Sequence, residues 1–255
     1  MGNTVEYTEL TLGAVDGANE DAVAHWWCGD CLVLAIADGV GDRSAGQVAS
    51  TTALEVLGRE LSTSPPDWPM PKRLRRAVQA ANLKVYQKGV TVPELRRMAT
   101  TLTVTAIEGR SLLAAHVGDC RLLLYRQGKL TQLTKDHTRA WEDPLAAAVN
   151  GSRNGARHAA LSRSLGHELV VSIDFLTMEL AVDDRLLQCS DGVHGALAEE
   201  ELQELLEAHP SEAACQAIVR RAREVDAGDD ASAQLVRVAS LSTPEAARPW
   251  WRLGL

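Results

Sequence analysis

The sequence predicts a mixed α+β fold whose sheets are antiparallel. Residues 101–107 alternate strictly between apolar and polar types and are rich in β-branched side chains, which indicates a half-buried strand. Strand-like runs follow at 112–117, 121–126 and 130–133, and the turns between them have hairpin length. Connections of that length join antiparallel neighbours, so the four runs are predicted to form one meander. Segments with helical spacing of apolar residues lie on either side of it.

The other elements are predicted in order along the chain. Residues 4–12 alternate loosely and indicate a first strand, and the unbroken apolar run Cys31–Ala37 indicates a buried strand. Residues 134–166 are irregular, with a helix-like stretch at 145–149, which suggests a flap. The remaining predictions are helices from Ser44 to near Leu61 and over 72–88, 199–208 and 211–224, and strands at 184–189 and 233–238.

Composition excludes several classes of protein. The 255-residue chain can bury a full core, and its net charge of −8 argues against nucleic acid as a partner. No apolar run is long enough to span a membrane, and the first residues lack the pattern of a signal peptide, so we expect a cytoplasmic protein. The spacing Cys28-x-x-Cys31 is compatible with a redox pair, half a zinc site or two structural thiols, of which the last is preferred.

Carboxylates recur beside glycines at the ends of predicted strands. Asp38 follows Cys31–Ala37, Asp119 follows Gly118, and Asp191 precedes Gly192. Carboxylates brought into one region repel each other, and a divalent cation is the simplest partner that makes them stable together. The acidic segment with Glu20 and Asp21 is either a surface loop or a second source of ligands for the same ion.

These residues belong to an ordered set of short motifs. The set is Asn19-Glu20-Asp21-Ala22, Asp38-Gly39-x-Gly41, Thr101-x-Thr103, Gly118-Asp119-Cys120-Arg121, Asp136-His137, Ser190-Asp191-Gly192 and Asp229-Asp230. It resembles the metal-dependent protein phosphatases of the PP2C type (the PPM family), in their bacterial stand-alone form. The resemblance runs from about Gly13 to Val238. It implies a four-layer α-β-β-α sandwich of two antiparallel sheets flanked by helices, with one domain over 1–240 and an extension over 241–255.

The resemblance also implies a site for two Mn²⁺ or Mg²⁺ ions and a third, weaker ion. Asp38 corresponds to the carboxylate that bridges the two ions, and Asp21 to the residue that holds a metal-bound water. The other implied ligands are Glu20, the Gly39 carbonyl, Asp191 and Asp229, with Asp119 on the third ion; Asp229 and Asp230 could exchange roles. Oxygen ligands suit such hard cations. We expect His116, His137 and Arg121 to have structural roles.

The implied activity is hydrolysis of phosphoserine and phosphothreonine by a water that bridges two ions, in a monomer that opposes a bacterial Ser/Thr kinase. One departure bears on it: Asp16 stands where the family has an Arg that grips the substrate phosphate. Arg43 is the candidate replacement, with Arg153 or Arg157 behind it. Two alternatives stay open, a phosphatase-like binding module with weak turnover and a phosphatase for small phosphorylated molecules.

Overall fold

A computed structural model describes residues 4–15, 17–41, 44–139 and 160–241. Its strands form two antiparallel sheets. The first sheet has the order β1-β11-β10-β7-β8 and the second β2-β3-β5-β6-β9, with the short β4 paired to β3. The strands are β1 (Thr4–Leu12), β2 (Asp21–Cys28), β3 (Cys31–Val40), β4 (Ala99–Thr100), β5 (Leu102–Glu108), β6 (Ser111–Val117), β7 (Arg121–Arg126), β8 (Lys129–Gln132), β9 (Asp174–Glu179), β10 (Arg185–Cys189) and β11 (Ala231–Ser240).

Helices cover the outer face of each sheet. The described helices are α1 (Ala45–Thr63), α2 (Met70–Thr91), α3 (Asp191–His194), α4 (Glu199–Ala208) and α5 (Ser211–Val225), with a 3-10 turn at Pro93–Leu95. The first two pack on the second sheet, and α4 and α5 pack on the first. No helix in the described ranges combines the length and apolarity needed to cross a membrane.

The alternation along β3 shows how the layers are built. Leu32 and Leu34 point toward the first sheet and pack with Leu122 from it, while Val33 points toward the helices. Successive side chains of a strand face opposite sides, so an unbroken apolar run in a strand indicates that both of its sides are covered. The continuous run at 31–37 is therefore the middle of a four-layer α-β-β-α sandwich, as the resemblance implied.

The predicted meander is wrong in one respect, because its strands belong to two sheets. The β5–β6 hairpin lies in the second sheet and the β7–β8 hairpin in the first, and β6 pairs with β9 rather than β7. Gly118 starts the crossing between the sheets with a φ of +109°, and a Cβ there would lie 2.5 Å from the Thr101 Cβ. Only glycine fits both the backbone angle and that contact.

Three strands were not predicted, and one of them is the two-residue β4. β2 carries His25, Trp26 and Trp27 in succession, so it has no apolar–polar alternation, and β9 is an edge strand with no buried residue. The other predicted elements are confirmed with small shifts of their ends. The helix-like stretch at 145–149 and the extension beyond 241 lie outside the described residues, and the division of the chain at residue 240 stays a prediction.

Candidate metal centre

The ends of both sheets meet at an acidic cleft of about 580 Å³. Every metal ligand that the sequence analysis named lines this cleft: Glu20, Asp38, Gly39, Asp119, Asp191 and Asp229. Asp230 lines it as well, whereas Asp21 is buried beside it. The last residues of β3 and the connections that follow β6 and β10 thus bring distant carboxylates together, as their positions near strand ends suggested.

Asp38 is held by the last residues of β3. That strand continues through Val40 instead of ending at Ala37, since Gly39 and Val40 pair with β4. The Asp38 N–H donates to the Thr101 hydroxyl at 2.9 Å, and the Thr101 N–H donates to the Asp38 carbonyl at 2.9 Å. The carboxylate of Asp38 is consequently presented from a backbone that is fixed on both sides.

Asp21 lies directly opposite Asp38 in the β2–β3 ladder. Its carboxylate accepts a hydrogen bond of 2.7 Å from the Ser190 hydroxyl. Burial, together with the charges of Asp191 and Asp230, raises the pKa of Asp21 to about 7, against opposing hydrogen bonds from serine hydroxyls. The charged form of Asp21 is therefore costly here unless a cation is near.

Glu20 and the Gly39 carbonyl converge through a glycine on α1. A Cβ on Gly46 would lie 2.7 Å from both the Glu20 Oε1 and the Gly39 carbonyl oxygen, so these two oxygens border the same small gap. Burial and then Asp230 raise the pKa of Glu20, and a hydrogen bond from the Gly46 N–H opposes them. A carboxylate and a carbonyl facing one gap are a suitable pair of ligands for a hard cation.

Asp230 organises the loop that leads to Glu20. Its two carboxylate oxygens accept hydrogen bonds of 2.6 Å, one from the Ala14 N–H and one from the Glu20 N–H. Gly192, the residue after Asp191, packs against the Asp230 carbonyl so closely that a Cβ would not fit. This contact brings Asp191 next to the pair Asp229 and Asp230.

Asp119 stands on the crossing between the sheets. Its carbonyl accepts a hydrogen bond of 3.0 Å from the Nε2 of His194 on α3. Burial raises the pKa of the Asp119 carboxyl to about 7, with Asp191 and Asp136 adding to the effect.

The electrostatics of the cleft are those of a site that requires positive charge. Burial, then the charges of Asp21 and Asp191, raise the pKa of Asp38 well above its usual range. All the predicted metal ligands that act through their side chains are carboxylates, which suit Mn²⁺ or Mg²⁺ rather than a soft metal. Within the described ranges, no three His, Cys, Asp or Glu side chains form a closed cluster, and such spread ligands suit ions that keep several waters.

The structural roles expected for three residues are confirmed. The Nδ1 of His137 accepts a hydrogen bond of 3.0 Å from the Gly118 N–H, and its Nε2 is hydrogen-bonded to the Asp174 carboxylate at 3.1 Å. His116 is buried, with its ring nitrogens on the Thr103 hydroxyl and the Lys135 carbonyl. The Arg121 guanidinium pairs with Asp136 at 2.8 Å.

Two residues of the cleft were missed, and four predicted ones cannot be placed. Arg97 and His167 line the cleft, although neither lies in a motif or beside a strand-end glycine. No pattern in the sequence distinguishes them from other surface residues. Asp16, Arg43, Arg153 and Arg157 lie outside the described residues.

Comparison with known proteins identifies the family. A family model described as protein phosphatase 2C matches residues 14–238. The chain is 35% identical over 199 residues to the serine/threonine protein phosphatase PstP of Mycobacterium tuberculosis, which covers 76% of this chain but 37% of that protein. It is 30% identical over 179 residues to the serine/threonine phosphatase stp of Listeria monocytogenes, covering 68% of this chain and 71% of that protein.

A solved structure has the same fold and holds metal. The crystal structure of the catalytic domain of PstP in complex with two manganese ions superimposes with a TM-score of 0.80 at 28% identity, covering 92% of this chain and 99% of that one. The chain thus spans little more than a third of the whole PstP protein, in the part that corresponds to its catalytic domain. Because the family model matches most of this chain, the chain belongs to the protein phosphatase 2C family.

Proposed function

We propose that this chain hydrolyses phosphoserine and phosphothreonine in proteins with the help of bound Mn²⁺ or Mg²⁺. The observation that carries the proposal is the meeting of Glu20, Asp38, Asp191 and Asp229 in one cleft. A fold kept only for binding would have no need of four mutually repelling carboxylates. The names of the relatives support the choice of phosphorylated protein as substrate.

The proposed ligands divide into two groups around Asp38. Glu20 and the Gly39 carbonyl would hold one ion, because both face the gap beside Gly46. Asp191 and Asp229 would hold the other, and Asp38 would contact both. Asp229 is preferred over Asp230 because both carboxylate oxygens of Asp230 already accept backbone N–H groups. Asp119 is the proposed ligand of a third ion.

The ions would supply an activated water as nucleophile and neutralise the charge that grows on the phosphoryl oxygens. The chain's own residues fix the geometry. Thr101 holds the backbone of Asp38, and the Ser190 hydroxyl orients the carboxylate of Asp21, the proposed holder of a water. Arg43 remains the proposed grip on the substrate phosphate, in place of the Arg that Asp16 replaces.

The test is hydrolysis of an aryl phosphate and a phosphothreonine peptide with MnCl₂ and with EDTA. We expect turnover only with Mn²⁺, and in Asp38→Asn a loss of more than about 100-fold, beyond the 10–100-fold typical of residues around a ligand shell. Asp183→Asn is the matched control, because Asp183 is exposed and pairs with Arg237 at the surface. Turnover in EDTA, or an active Asp38→Asn, would exclude the metal-dependent mechanism.

The same assay separates the two alternatives. A strong preference for small phosphoesters over the peptide would indicate a phosphatase of small molecules, and peptide binding without turnover would indicate a binding module. We further propose that the enzyme is a cytoplasmic monomer that opposes a Ser/Thr kinase. All five cysteines, each within the described residues, carry free thiols, which supports a reducing compartment.

A further inference from the structure

A second groove adjoins the acidic cleft and shares a wall with it. This groove has a volume of about 590 Å³, and its shared wall consists of Arg97, Ala99 and His167. Tyr86 and Val90 from α2 and Arg96 are also among the residues that line it. The cleft is acidic, but the adjoining groove carries two guanidinium groups and an imidazole, and none of the described residues that line it is acidic.

The two guanidinium groups have no partner within the described part of the chain. Arg96 and Arg97 are exposed, and neither guanidinium makes a hydrogen bond or ion pair with a described residue. Several other described arginines pair with a carboxylate, such as Arg121 with Asp136. Two adjacent unpaired cations in a chain of net charge −8 are available for an anion from outside.

Arg97 also has a backbone conformation that favours glycine. Its φ is +66°, in the left-handed region that side chains other than Gly and Asn rarely adopt. Strain of this kind persists where the surrounding structure imposes it, and it concentrates at functional sites. Here it directs a long cationic side chain to the boundary between the two cavities.

The surrounding structure does impose it. Thr100 and Leu165 exchange backbone hydrogen bonds of 3.1 and 2.8 Å, which tie the segment after Arg97 to the segment before His167. The Met98 N–H donates to the Leu95 carbonyl at 3.0 Å. The fully buried Asn82 accepts from the Gly166 N–H at 2.9 Å and donates to the Glu168 carbonyl at 3.0 Å, so the backbone on both sides of His167 is fixed.

The groove also lies close to the proposed metal ligands. Ala99 of the shared wall pairs with Val40, the neighbour of Gly39, across the β3–β4 ladder. A peptide that placed its phosphoresidue in the cleft would carry the next residues along this wall. Because an extended residue spans about 3.3 Å, Arg97 is within reach of side chains a few positions from the phosphoresidue.

We propose that this groove, with Arg97 in the wall that it shares with the cleft, binds acidic side chains that flank the phosphoresidue of the substrate. The inference rests on the proposed phosphatase activity and deepens it by naming a substrate class. The shared chemistry is a compact anion, either a carboxylate of Asp or Glu or a second phosphate, which a guanidinium can hold in a forked hydrogen bond. Arg97 is the specificity residue, Arg96 adds positive charge, and neither takes part in the chemistry.

The experiment compares three phosphothreonine peptides that differ only in the flanking residues, which are Gln, Glu or a second phosphothreonine. With Mn²⁺ present, we expect kcat/KM to be about three- to fivefold higher for the Glu peptide than for the Gln peptide, the range of a favourable exposed ion pair. The preference should shrink as salt is raised, since exposed charges are screened. The doubly phosphorylated peptide tells a phosphate preference from a carboxylate preference.

Arg97→Gly provides the decisive variant because it removes the cation and relieves the backbone strain together. Its Tm should equal or exceed that of the wild type, while the ratio of Glu to Gln peptide falls to about one. Arg97→Lys should keep part of the preference. Arg220→Gln on α5, an exposed site, changes the net charge equally and should leave the ratio unaltered.

A wild-type ratio of one, or an unchanged ratio in Arg97→Gly, would overturn the inference. Failure of the proposed activity gives a different result, namely no Mn²⁺-dependent turnover of any peptide. In that case fluorescence anisotropy with labelled unphosphorylated Glu and Gln peptides decides the inference. A preference for the Glu peptide that Arg97→Gly abolishes supports the groove, and equal binding of both peptides rejects it.

Discussion

Gly46→Ala separates helix stability from metal binding in this protein. Ala is normally favoured over Gly inside a helix by up to about 1 kcal/mol, and Gly46 is the second residue of α1. Here, however, the new Cβ would lie 2.6 Å from the Glu20 Cδ and 2.7 Å from the Gly39 carbonyl oxygen. Ordinary contact begins at 3.4 Å, so the two proposed ligands must move by about 0.7 Å.

The magnitude follows from this displacement. Changes around a ligand shell typically weaken metal affinity by about 10–100-fold, which corresponds to about 1.4–2.7 kcal/mol at 25 °C. The metal-linked part of the unfolding free energy should fall by the same amount, because an excess of ligand stabilises in proportion to the logarithm of its affinity. In the metal-free protein, the higher helix propensity of Ala and the steric clash of its Cβ have opposite effects on stability. We therefore expect the free energy of unfolding to change by no more than about 1 kcal/mol.

The assay is urea unfolding with EDTA and with MnCl₂, together with calorimetric titration of Mn²⁺. Gly89→Ala is the matched control, since Gly89 also lies in a helix but its added Cβ would meet nothing nearer than 3.5 Å. It should gain stability equally with and without Mn²⁺. Wild-type Mn²⁺ affinity in Gly46→Ala would refute the placement of Glu20 and the Gly39 carbonyl around one ion.

Two other predictions concern buried carboxyl groups. The folded pKa of Asp21 is about 7, above the usual 3.8, so its protonation favours the folded state at low pH and that contribution is lost as pH rises through 7. In EDTA, the Tm of Asp21→Asn relative to the wild type should therefore rise from pH 5 to pH 8. A difference in Tm that does not change with pH would contradict the raised pKa of Asp21. Asp184 is buried, and its carboxylate accepts hydrogen bonds from the Nε and Nη2 of Arg126 at 2.7 and 2.6 Å. Asp184→Asn should therefore lower the free energy of unfolding, measured in urea, by about 2–3 kcal/mol. The exposed neighbour Asp183 gives the comparison, because Asp183→Asn should lower the free energy of unfolding by less than about 1 kcal/mol. Equal losses in the two variants would contradict the claim that burial strengthens the Asp184 ion pair.

Much of the fold could be predicted because local patterns decided it. The helical spacing in α1 and α2 reflects a single buried stripe, which the sequence displays directly. The alternation in β5 predicted the strand but not its burial on both faces, because Thr103 and Thr105 are also buried, with their hydroxyls hydrogen-bonded to the Cys120 carbonyl and the Gln188 side chain. The assignment of β7 to the other sheet could not be predicted. Hairpin-length spacing is the same whether two strands pair or cross between layers, and only the tertiary contact of Gly118 with Thr101 distinguishes the cases.

The residues of the candidate site were likewise predictable only where a local pattern marks them. Asp38, Asp119 and Asp191 could be proposed because each stands at a strand end beside glycine, and strand ends that share a sheet edge place their side chains together. Arg97 reaches the cleft by a backbone turn with positive φ between the 3-10 turn and β4. No glycine or motif marks that turn, so the pattern of the sequence contains no signal for it.

The cleft and its rim share a physical feature that explains why they lie together. The carboxylates of Asp21, Asp38 and Asp119 are held where their charged forms are unfavourable, and Arg97 is held where its backbone is unfavourable. Each of these departures lowers the stability of the isolated chain. A nearby cation would make the charged carboxylates favourable, whereas the strain at Arg97 is a fixed cost of placing its guanidinium beside them. Cations would relieve the carboxylates, and an anionic substrate would occupy the guanidinium beside them. Local conflict with the fold at one end of an otherwise consistent sandwich is what a binding site for both kinds of ion requires.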